Sequence, residues 1–495
     1  MYKNGALLMI WSRYNTLFHS DRFGYFLYNA FSNTLFEIDE AHYDALKMFR
    51  DFGNGSENFN SDFLSLLQEH KVLIADKDEN RLLLTRHYQH YAQYFDTSRL
   101  GLTICPTLQC NFRCPYCFEQ NQQNLTIMTH ETIKRLINFI ESYKDIRHLS
   151  LAWYGGEPLL AFDVIRDITE RIKSLSPDFE GAILVTNGYL LDKSKCDLLN
   201  ELKIHSIQIT LDGPEEIHNK RRFLAGGRPT FQRILANLDY LMNSKYEGSC
   251  HIRVDIDKHN IEVFPELHAL LTERYKGKKL TVYAARVQTN LGHSYDHSCC
   301  LKVQEWADFT FNMHRRYGLI PTDNFYPSGN IDSSCVASTH NKFVIGPEGE
   351  LYKCWSDVGK SAMVIGNIYE DEPVTNSALR AQYTIGIDPY CDPDCLACSV
   401  LPICGGGCAN MRLRAKQFGE EGCEFCSPYK ENLTNYLEEY IDTFLSKEIC
   451  IALLSSIREI PANNGYRDIS PKRKWLEESR TRRSTPLDGL DKCGI

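Results

Sequence analysis

No apolar run in these 495 residues reaches the length of a membrane-spanning helix, which argues against an integral membrane protein. Positive charge is not in excess either. The 55 Lys and Arg against 64 Asp and Glu give a formal net charge of −9, a balance that argues against a general nucleic-acid binder. A short apolar patch near the start, Ala6–Trp11, has no basic leader before it and no small-residue cleavage site after it, so no secretory signal is expected. Cysteine is missing from residues 1–95 and then becomes abundant, with 19 in the chain. In a small secreted protein such a count would mean disulfides. In a chain this long, with most of its cysteines at metal-ligand spacings, it predicts a reducing, cytoplasmic setting and metal ligation. Length alone suggests about two to four domains.

The densest cysteine signal comes first. Cys110, Cys114 and Cys117 stand at C-x3-C-x2-C spacing after an apolar run, Leu102–Cys105, that reads as a strand ending at Pro106. Three thiolates this close can grip one iron–sulfur cluster from a single loop. A four-iron cube is normally held by four cysteines, so three leave one iron open to an exogenous ligand, as catalytic metal sites do. Zinc or redox ligands fit the same spacing, and the rest of the chain has to separate these readings.

Before this loop, Arg13–Ser20, Tyr25–Phe31 and Thr34–Ile38 are short aromatic-rich runs parted by turn residues, which predicts a three-stranded meander. Asp39 looks like the N-cap of a helix with Ala41, Ala45, Leu46 and Phe49 on one side. A second helix shows Phe63, Leu66, Leu67 and His70, and Val72–Ile74 is expected to close the unit. Such a sheet leaves an edge that must be covered or used. We expect use, by an extended peptide adding itself as a strand; a packing extension without a ligand is the alternative.

From residue 100 the pattern alternates strand and helix. The expected strands are Leu100–Thr107, His148–Gly156, Ala182–Gly188, Ile204–Gly213, His251–Asp257 and Leu280–Val287, with amphipathic helices such as Thr129–Tyr143 between them. Repeats of this length permit right-handed crossovers and predict a partial (β/α)6 barrel. Sites in such folds gather at the C-terminal strand ends. There lie the cysteine loop, then Gly155, Gly156 and Glu157, then Thr186–Gly188, then Thr210–Pro214. The glycines admit a close backbone approach to a ligand and Glu157 suits an ammonium group. Arg221 and Arg222 read as a carboxylate clamp or as a solvated basic turn.

Cysteines return from Cys335. Cys335 and Cys354 flank a predicted hairpin over Val344–Leu351. Cys391 follows, then Cys395-x2-Cys398-x5-Cys404-x3-Cys408 with glycines 405–407 in the last gap, and finally Cys423 and Cys426. This exceeds one four-ligand site and suffices for two, with zinc ribbons as the alternative. A helix over Lys430–Leu445 precedes a polar tail bearing Lys472–Lys474 and Arg480–Arg483, expected to be partly disordered. Cys105, Cys196, Cys250, Cys450 and Cys493 read as ordinary small residues.

The first cysteine motif followed by Gly155-Gly156-Glu157-Pro158 resembles the radical S-adenosylmethionine superfamily. The later cysteines, from Cys335 through Gly349-x4-Cys354 and Cys395-x2-Cys398-x5-Cys404-x3-Cys408 to Cys426, resemble its SPASM extension. Residues 1–95 resemble, more weakly, the precursor-recognition domain of peptide maturases. These resemblances imply an α/β chain with five parts. They are a winged-helix-like α+β recognition domain (1–95), a partial barrel (96–300), a connector (301–334), a SPASM domain (335–445) and a C-terminal helix and tail (446–495).

They also imply a [4Fe–4S] cluster on Cys110, Cys114 and Cys117, with S-adenosylmethionine on its open iron yielding a 5′-deoxyadenosyl radical when reduced. Gly155, Gly156 and Glu157 would meet the methionine amino group, Thr210 and Arg222 its carboxylate, and Tyr116 and Phe118 the adenine side. Cys395, Cys398, Cys404 and Cys426 would hold a distal auxiliary cluster, with Cys423 an alternative to Cys426. Cys335, Cys354 and Cys408 would hold a proximal one, its fourth ligand being Cys391, Cys299, Cys300 or a substrate thiolate.

The implied activity is a thioether or carbon–carbon crosslink in a ribosomal precursor peptide, with its leader on the N-terminal domain and flavodoxin or ferredoxin as electron donor. An anaerobic sulfatase maturase, oxidising cysteine or serine to formylglycine, is the second reading. That family has an aspartate directly after the second auxiliary cysteine, whereas here Trp355 follows Cys354 and the nearest aspartate is Asp357. A zinc-dependent binding protein is the third; a colourless protein with stoichiometric zinc would favour it.

Overall fold

A computed structural model describes residues 9–53, 59–75, 78–119, 125–175, 179–288, 295–328, 335–454 and 465–471. The chain opens with strands β1 (Met9–Trp11), β2 (Asn15–Ser20), β3 (Gly24–Asn29) and β4 (Thr34–Ile38), then helices α1 (Glu40–Phe52) and α2 (Ser61–Glu69), strand β5 (Leu73–Ala75) and helix α3 (Asp78–Tyr94). Strands β2, β3 and β4 form the expected antiparallel meander, with Leu17 opposite Leu27 and Leu27 opposite Phe36. Asp39 caps α1 by accepting from the His42 N–H at 2.8 Å, and Asn60 caps α2 through the Phe63 N–H at 2.8 Å.

Alternate side chains of a strand face opposite ways, and here both faces are buried. Leu27, Phe36 and Ile38 pack against Leu46, Phe49, Phe63 and Leu67 of the two helices. Phe18, Phe26, Tyr28 and Leu35 face the other way, against Phe311, Phe325, Tyr436 and Leu437. The aromatic richness of these strands follows from this two-sided burial.

The barrel follows as β6 (Arg99–Ile104), α4 (His130–Ser142), β7 (His148–Trp153), α5 (Phe162–Leu175), β8 (Phe179–Thr186), α6 (Lys193–Cys196), β9 (Ile204–Thr210), α7 (Glu215–Arg221), α8 (Phe231–Asn243), β10 (Ser249–Ile256), α9 (Phe264–Arg274) and β11 (Leu280–Arg286). Its six strands are parallel and lie in sequence order. All six end one to three residues before the expected limits. Pro106, and glycines 155, 188 and 213 with positive φ, belong to the tip loops instead.

The sheet continues past β6. After α10 (Val303–Tyr317), strand β12 (Lys342–Ile345) pairs parallel to β6, and β13 (Glu350–Tyr352) and β14 (Gly366–Asn367) extend it antiparallel to a nine-stranded whole. The predicted hairpin is therefore present and built onto the first barrel strand. The chain ends its described course with α11 (Ser377–Ala381), α12 (Pro393–Leu396), α13 (Leu401–Cys404), α14 (Ala409–Gln417), α15 (Tyr429–Leu454) and β15 (Tyr466–Asp468). Among the described residues no helix is long and apolar enough to cross a membrane.

Three details depart from the sequence reading. Much of the expected connector is α10, an amphipathic helix that buries Ala307, Phe309, Phe311 and Met313. The strand expected to close the unit is present at residues 73–75, but it pairs with β1 as a separate two-stranded sheet and does not join the meander. The outer edge of β4, expected to stand open, is paired with β15, which lies within the segment expected to be a loose tail. The basic clusters at 472–474 and 480–483, and Cys493, lie outside the described residues.

Candidate active site

The cysteine loop is fixed by the strand tip beside it. Tyr154, Gly156 and Glu157 donate their N–H groups to the carbonyls of Ile104, Thr107 and Gln109 at 3.0, 3.3 and 2.8 Å. A Cβ on Gly155 would lie 2.4 Å from the Thr107 carbonyl oxygen, and one on Gly156 would lie 2.3 Å from that of Gln109. The glycine pair is thus required by the protein's own backbone, a reason separate from the expected approach of a ligand.

Glu157, read from sequence as an ammonium partner, has its carboxylate fully buried and satisfied within the protein. Oε1 accepts from the Leu159 N–H at 3.0 Å and the Thr186 hydroxyl at 2.7 Å, and Oε2 accepts from the Asn187 N–H at 2.8 Å. Burial raises its pKa while these hydrogen bonds pull the other way. It therefore ties the β7 and β8 tips together. Asn187 Nδ2 in turn donates to Asn111 Oδ1 at 2.7 Å, reaching the residue after Cys110.

Arg221 and Arg222 are buried, which removes the solvated-turn reading. Arg221 donates to Asp212 at 3.1 Å and to Asp257 at 2.7 Å. Arg222 Nη1 donates to the Tyr116 hydroxyl at 2.8 Å, while its buried Nε has no hydrogen-bond partner. Tyr116 also donates to Asp212. It is turned into the barrel, whereas Phe118 is half-buried against the core and Thr210 is buried at the end of β9. Sequence reasoning gave no role to Asp212, whose Asp-Gly-Pro reads as a turn, or to Asp257, which reads as the last residue of an expected strand. Their positions at the ends of β9 and β10 were the available signal.

The three thiols lie close enough to feel one another's charge. Burial pushes Cys110 up to about 12 and raises Cys114 and Cys117, and the Arg222 guanidinium works in the opposite sense on Cys114. Buried neutral thiols give up their protons when a cationic centre binds.

Residues 104–271 match the Radical SAM superfamily. The barrel is a radical SAM domain. A cysteine-type anaerobic sulfatase-maturating enzyme of Clostridium perfringens is 24% identical over 371 residues, covering 67% of this chain and 95% of its own length. A serine-type counterpart from Bacteroides thetaiotaomicron is 22% identical over 384 residues, covering 69% and 89%. The solved structure of anSMEcpe with bound AdoMet and the Kp18Cys peptide superposes with a TM-score of 0.54 at 20% identity, covering 72% of this chain and 99% of that one. This last likeness is one of fold.

The cofactors of a radical SAM enzyme are a [4Fe–4S] cluster and S-adenosylmethionine, and the domain's residues fit them. A three-thiol loop supplies a soft donor set, and the unpartnered Arg222 Nε is a buried donor suited to a carboxylate.

Beyond the radical SAM domain, two further groups of cysteines assemble. Cys354 feels the charge of both Cys335 and Cys408. Cys404 feels that of Cys395 and Cys426, and Cys398 follows Cys395 in the same turn, its N–H donating to the Cys395 carbonyl at 3.0 Å. The run Gly405–Gly407 joins the two groups. All three have positive φ, a Cβ on Gly407 would sit 1.6 Å from the Phe425 carbonyl oxygen, and the Cys408 N–H donates to that oxygen at 3.1 Å. Arg412 Nη1 lies 3.1 Å from Cys395 Sγ and its Nη2 donates to Asp392 at 2.6 Å.

The three candidates for an extra proximal ligand lie in other surroundings. Cys391 Sγ is 3.7 Å from Asp388, which His87 Nε2 meets at 2.6 Å. Cys299 Sγ is 3.6 Å from His259 Nε2. Cys300 is buried near Cys299 and Asp257. Cys423 is half-buried.

A cavity of about 630 Å³ separates β10 and β11 from these cysteines, and Arg253, Arg286, Cys335, Cys408, Glu424 and Cys426 are among its lining residues. The Trp355 ring lies 4.2 Å from that of Tyr154, tying the segment after the hairpin to the β7 tip. Asp357 is buried and accepts from Tyr383, from Asn410 at 3.0 Å and from Arg414 at 3.3 Å.

Proposed function

We propose that this enzyme modifies a ribosomally made peptide, installing a thioether or carbon–carbon crosslink in a segment that enters the cavity between the barrel and the auxiliary cysteines. The observation that carries this reading is that cavity. Its 630 Å³ falls within the range of sites that hold a substrate, and its walls bring the barrel strands and both later cysteine groups to one space. The peptide-binding solved neighbour and the protein-modifying names of the relatives support a polypeptide substrate.

When bound, the cluster and S-adenosylmethionine supply a one-electron route to hydrogen abstraction from carbon. The chain's own residues hold, orient and shield that chemistry. Cys110, Cys114 and Cys117 would hold the cluster. The backbone at Gly155 and Gly156 would face the amino group while Glu157 keeps the tips of β7 and β8 in register. Thr210 and the free Nε of Arg222 would face the carboxylate, and Tyr116, pinned by Asp212, would hold Arg222 in place. Phe118 would shield the adenine side. Cys335, Cys354 and Cys408 would hold one auxiliary cluster, and Cys395, Cys398, Cys404 and Cys426 the other. Reducing equivalents would come from a flavodoxin or ferredoxin.

Formylglycine formation is the second reading, favoured by the names of the curated relatives. Against it stands the position after Cys354, where Trp355 packs on Tyr154 and Asp357 is already engaged by Tyr383, Asn410 and Arg414.

The test is anaerobic turnover of S-adenosylmethionine by the reconstituted protein. Replacing Cys110, Cys114 and Cys117 by Ala should abolish 5′-deoxyadenosine formation, and turnover at the parental rate would refute the cluster assignment. Mass spectrometry of a candidate peptide then separates the readings. A crosslink removes two hydrogens, keeps every sulfur and leaves no aldehyde, whereas formylglycine made from cysteine loses the sulfur and that made from serine carries an aldehyde that a hydrazine reagent labels.

A further inference from the structure

The pairing of β15 with β4 brings the chain back to its own N-terminal sheet from more than four hundred residues away. Tyr466 stands opposite Ile38, Arg467 opposite Glu37 and Asp468 opposite Phe36. The ladder is extended at both ends. The Asp39 N–H donates to the Gly465 carbonyl at 2.8 Å, the Ile469 N–H to the Leu35 carbonyl at 3.0 Å, and the Leu35 N–H to the Ser470 hydroxyl at 2.8 Å. Gly465 admits the segment at one end, because a Cβ there would lie 2.2 Å from Asp39 Oδ2.

Three side chains read the groove. The Tyr466 ring lies 4.9 Å from that of Phe63 and 5.9 Å from that of His42. Arg467 meets Glu37 through Nε at 3.0 Å and Nη2 at 2.6 Å. Ile469 is 1% exposed, and its carbonyl accepts from the Tyr440 hydroxyl at 2.8 Å. The whole attachment is a three-residue strand with one fully buried apolar anchor, and its ion pair is about one-third exposed on both partners. Exposed pairs of this kind contribute little, and short peripheral strands belong to the least stable parts of a fold.

An extended segment held this way uses the same bonds that an external strand would use. We propose that residues 465–470 are an internal occupant of a peptide groove on β4, and that the substrate's docking segment binds by replacing them. The groove selects an antiparallel extended segment with an aromatic residue at the place of Tyr466, a cationic one opposite Glu37 and a branched aliphatic residue at the place of Ile469. This rests on the reading that the substrate is a peptide. The attached strand makes the resting protein a weak binder, since any incoming segment competes with one present at an effective concentration on the order of millimolar.

A fluorescent peptide of sequence GYRDISP, identical to residues 465–471, tests the groove by anisotropy on the reconstituted full-length enzyme. I469D removes the anchor, and R467E sets like charge against Glu37 without touching the buried side. Both should bind the probe more tightly than the parent, I469D by about tenfold or more. R467E keeps the test available if I469D does not fold, and uncoupled S-adenosylmethionine cleavage at the parental rate identifies folded protein. Equal probe affinity in parent and folded variants, or no binding by any of them, overturns the proposal. A precursor peptide that displaces the probe supports it. Because the probe is the chain's own sequence, its binding without competition by any precursor would leave the groove standing and count against the peptide-substrate reading. Crosslinking of a precursor by protein that never binds the probe would do the reverse.

Discussion

Arg221 and Arg222 are adjacent, both buried, and differently engaged. The first is engaged by Asp212 and Asp257, while the second meets the Tyr116 hydroxyl and, at 4.0 Å, Asp255 through Nη1 and leaves Nε without a hydrogen bond. A buried unpaired donor is costly, so it marks a position where a partner of opposite charge is welcome. The sequence showed the pair but not this division, which depends on carboxylates arriving from two other strand ends. Histidine supplies a second case at this scale. His90 is 3% exposed with neither ring nitrogen hydrogen-bonded, and burial holds its pKa down to about 4. The unfolded chain has the ordinary value near 6.5. Between pH 6.5 and 4 the unfolded state therefore binds a proton that the folded state refuses, and stability falls as pH drops through that window, by up to about 3 kcal/mol. Urea denaturation midpoints at pH 7 and pH 5 should show the loss, and His90→Phe, which keeps a ring against Tyr94, should reduce it.

Among the elements, the glycine run between Cys404 and Cys408 holds two cysteine groups at once. Gly407→Ala places a methyl group on the Phe425 carbonyl and forces an L side chain into positive φ. We expect it to lower the iron content of reconstituted protein while the Cys110 loop still cleaves S-adenosylmethionine. Gly419→Ala is the control: φ is again positive, at 68°, but a Cβ there meets nothing within 4 Å, so only backbone strain of about 1 kcal/mol is added and iron content should hold. Elements of this kind were legible from the sequence. The six barrel strands, the Asp39 cap and the hairpin over residues 344–351 follow from local periodicity and turn chemistry. Strand β15 was not legible, because Tyr466–Asp468 has no apolar alternation of its own and becomes a strand only by pairing with β4. Helix α10 was obscured for a related reason: its buried residues divide between two cores, Phe309 and Met313 against the barrel and Ala307 and Phe311 with the meander and α15, most of it distant in sequence.

Across the whole molecule, the N-terminal meander is no detachable bead. Tyr14, Phe26 and Tyr28 share one core with Phe311, Phe325, Tyr436 and Tyr440. Fully burying each such side chain stabilises by roughly 1.5–3 kcal/mol, so removing residues 1–95 would leave a broad apolar face on α10 and α15. The truncated chain is expected to aggregate, as light scattering after gel filtration would show; a monodisperse product of unchanged thermal midpoint would contradict this shared core. A further consequence comes from the sheet order. Strand β12 joins the barrel at β6, so among the described residues β11 has one neighbour and the wall never closes upon itself. The missing seam is met by later parts of the same chain: Val303, Trp306 and Phe309 of α10 and the turn from Cys404 to Cys408 line the cavity that β11 borders, so the barrel's interior is completed by the region that follows it.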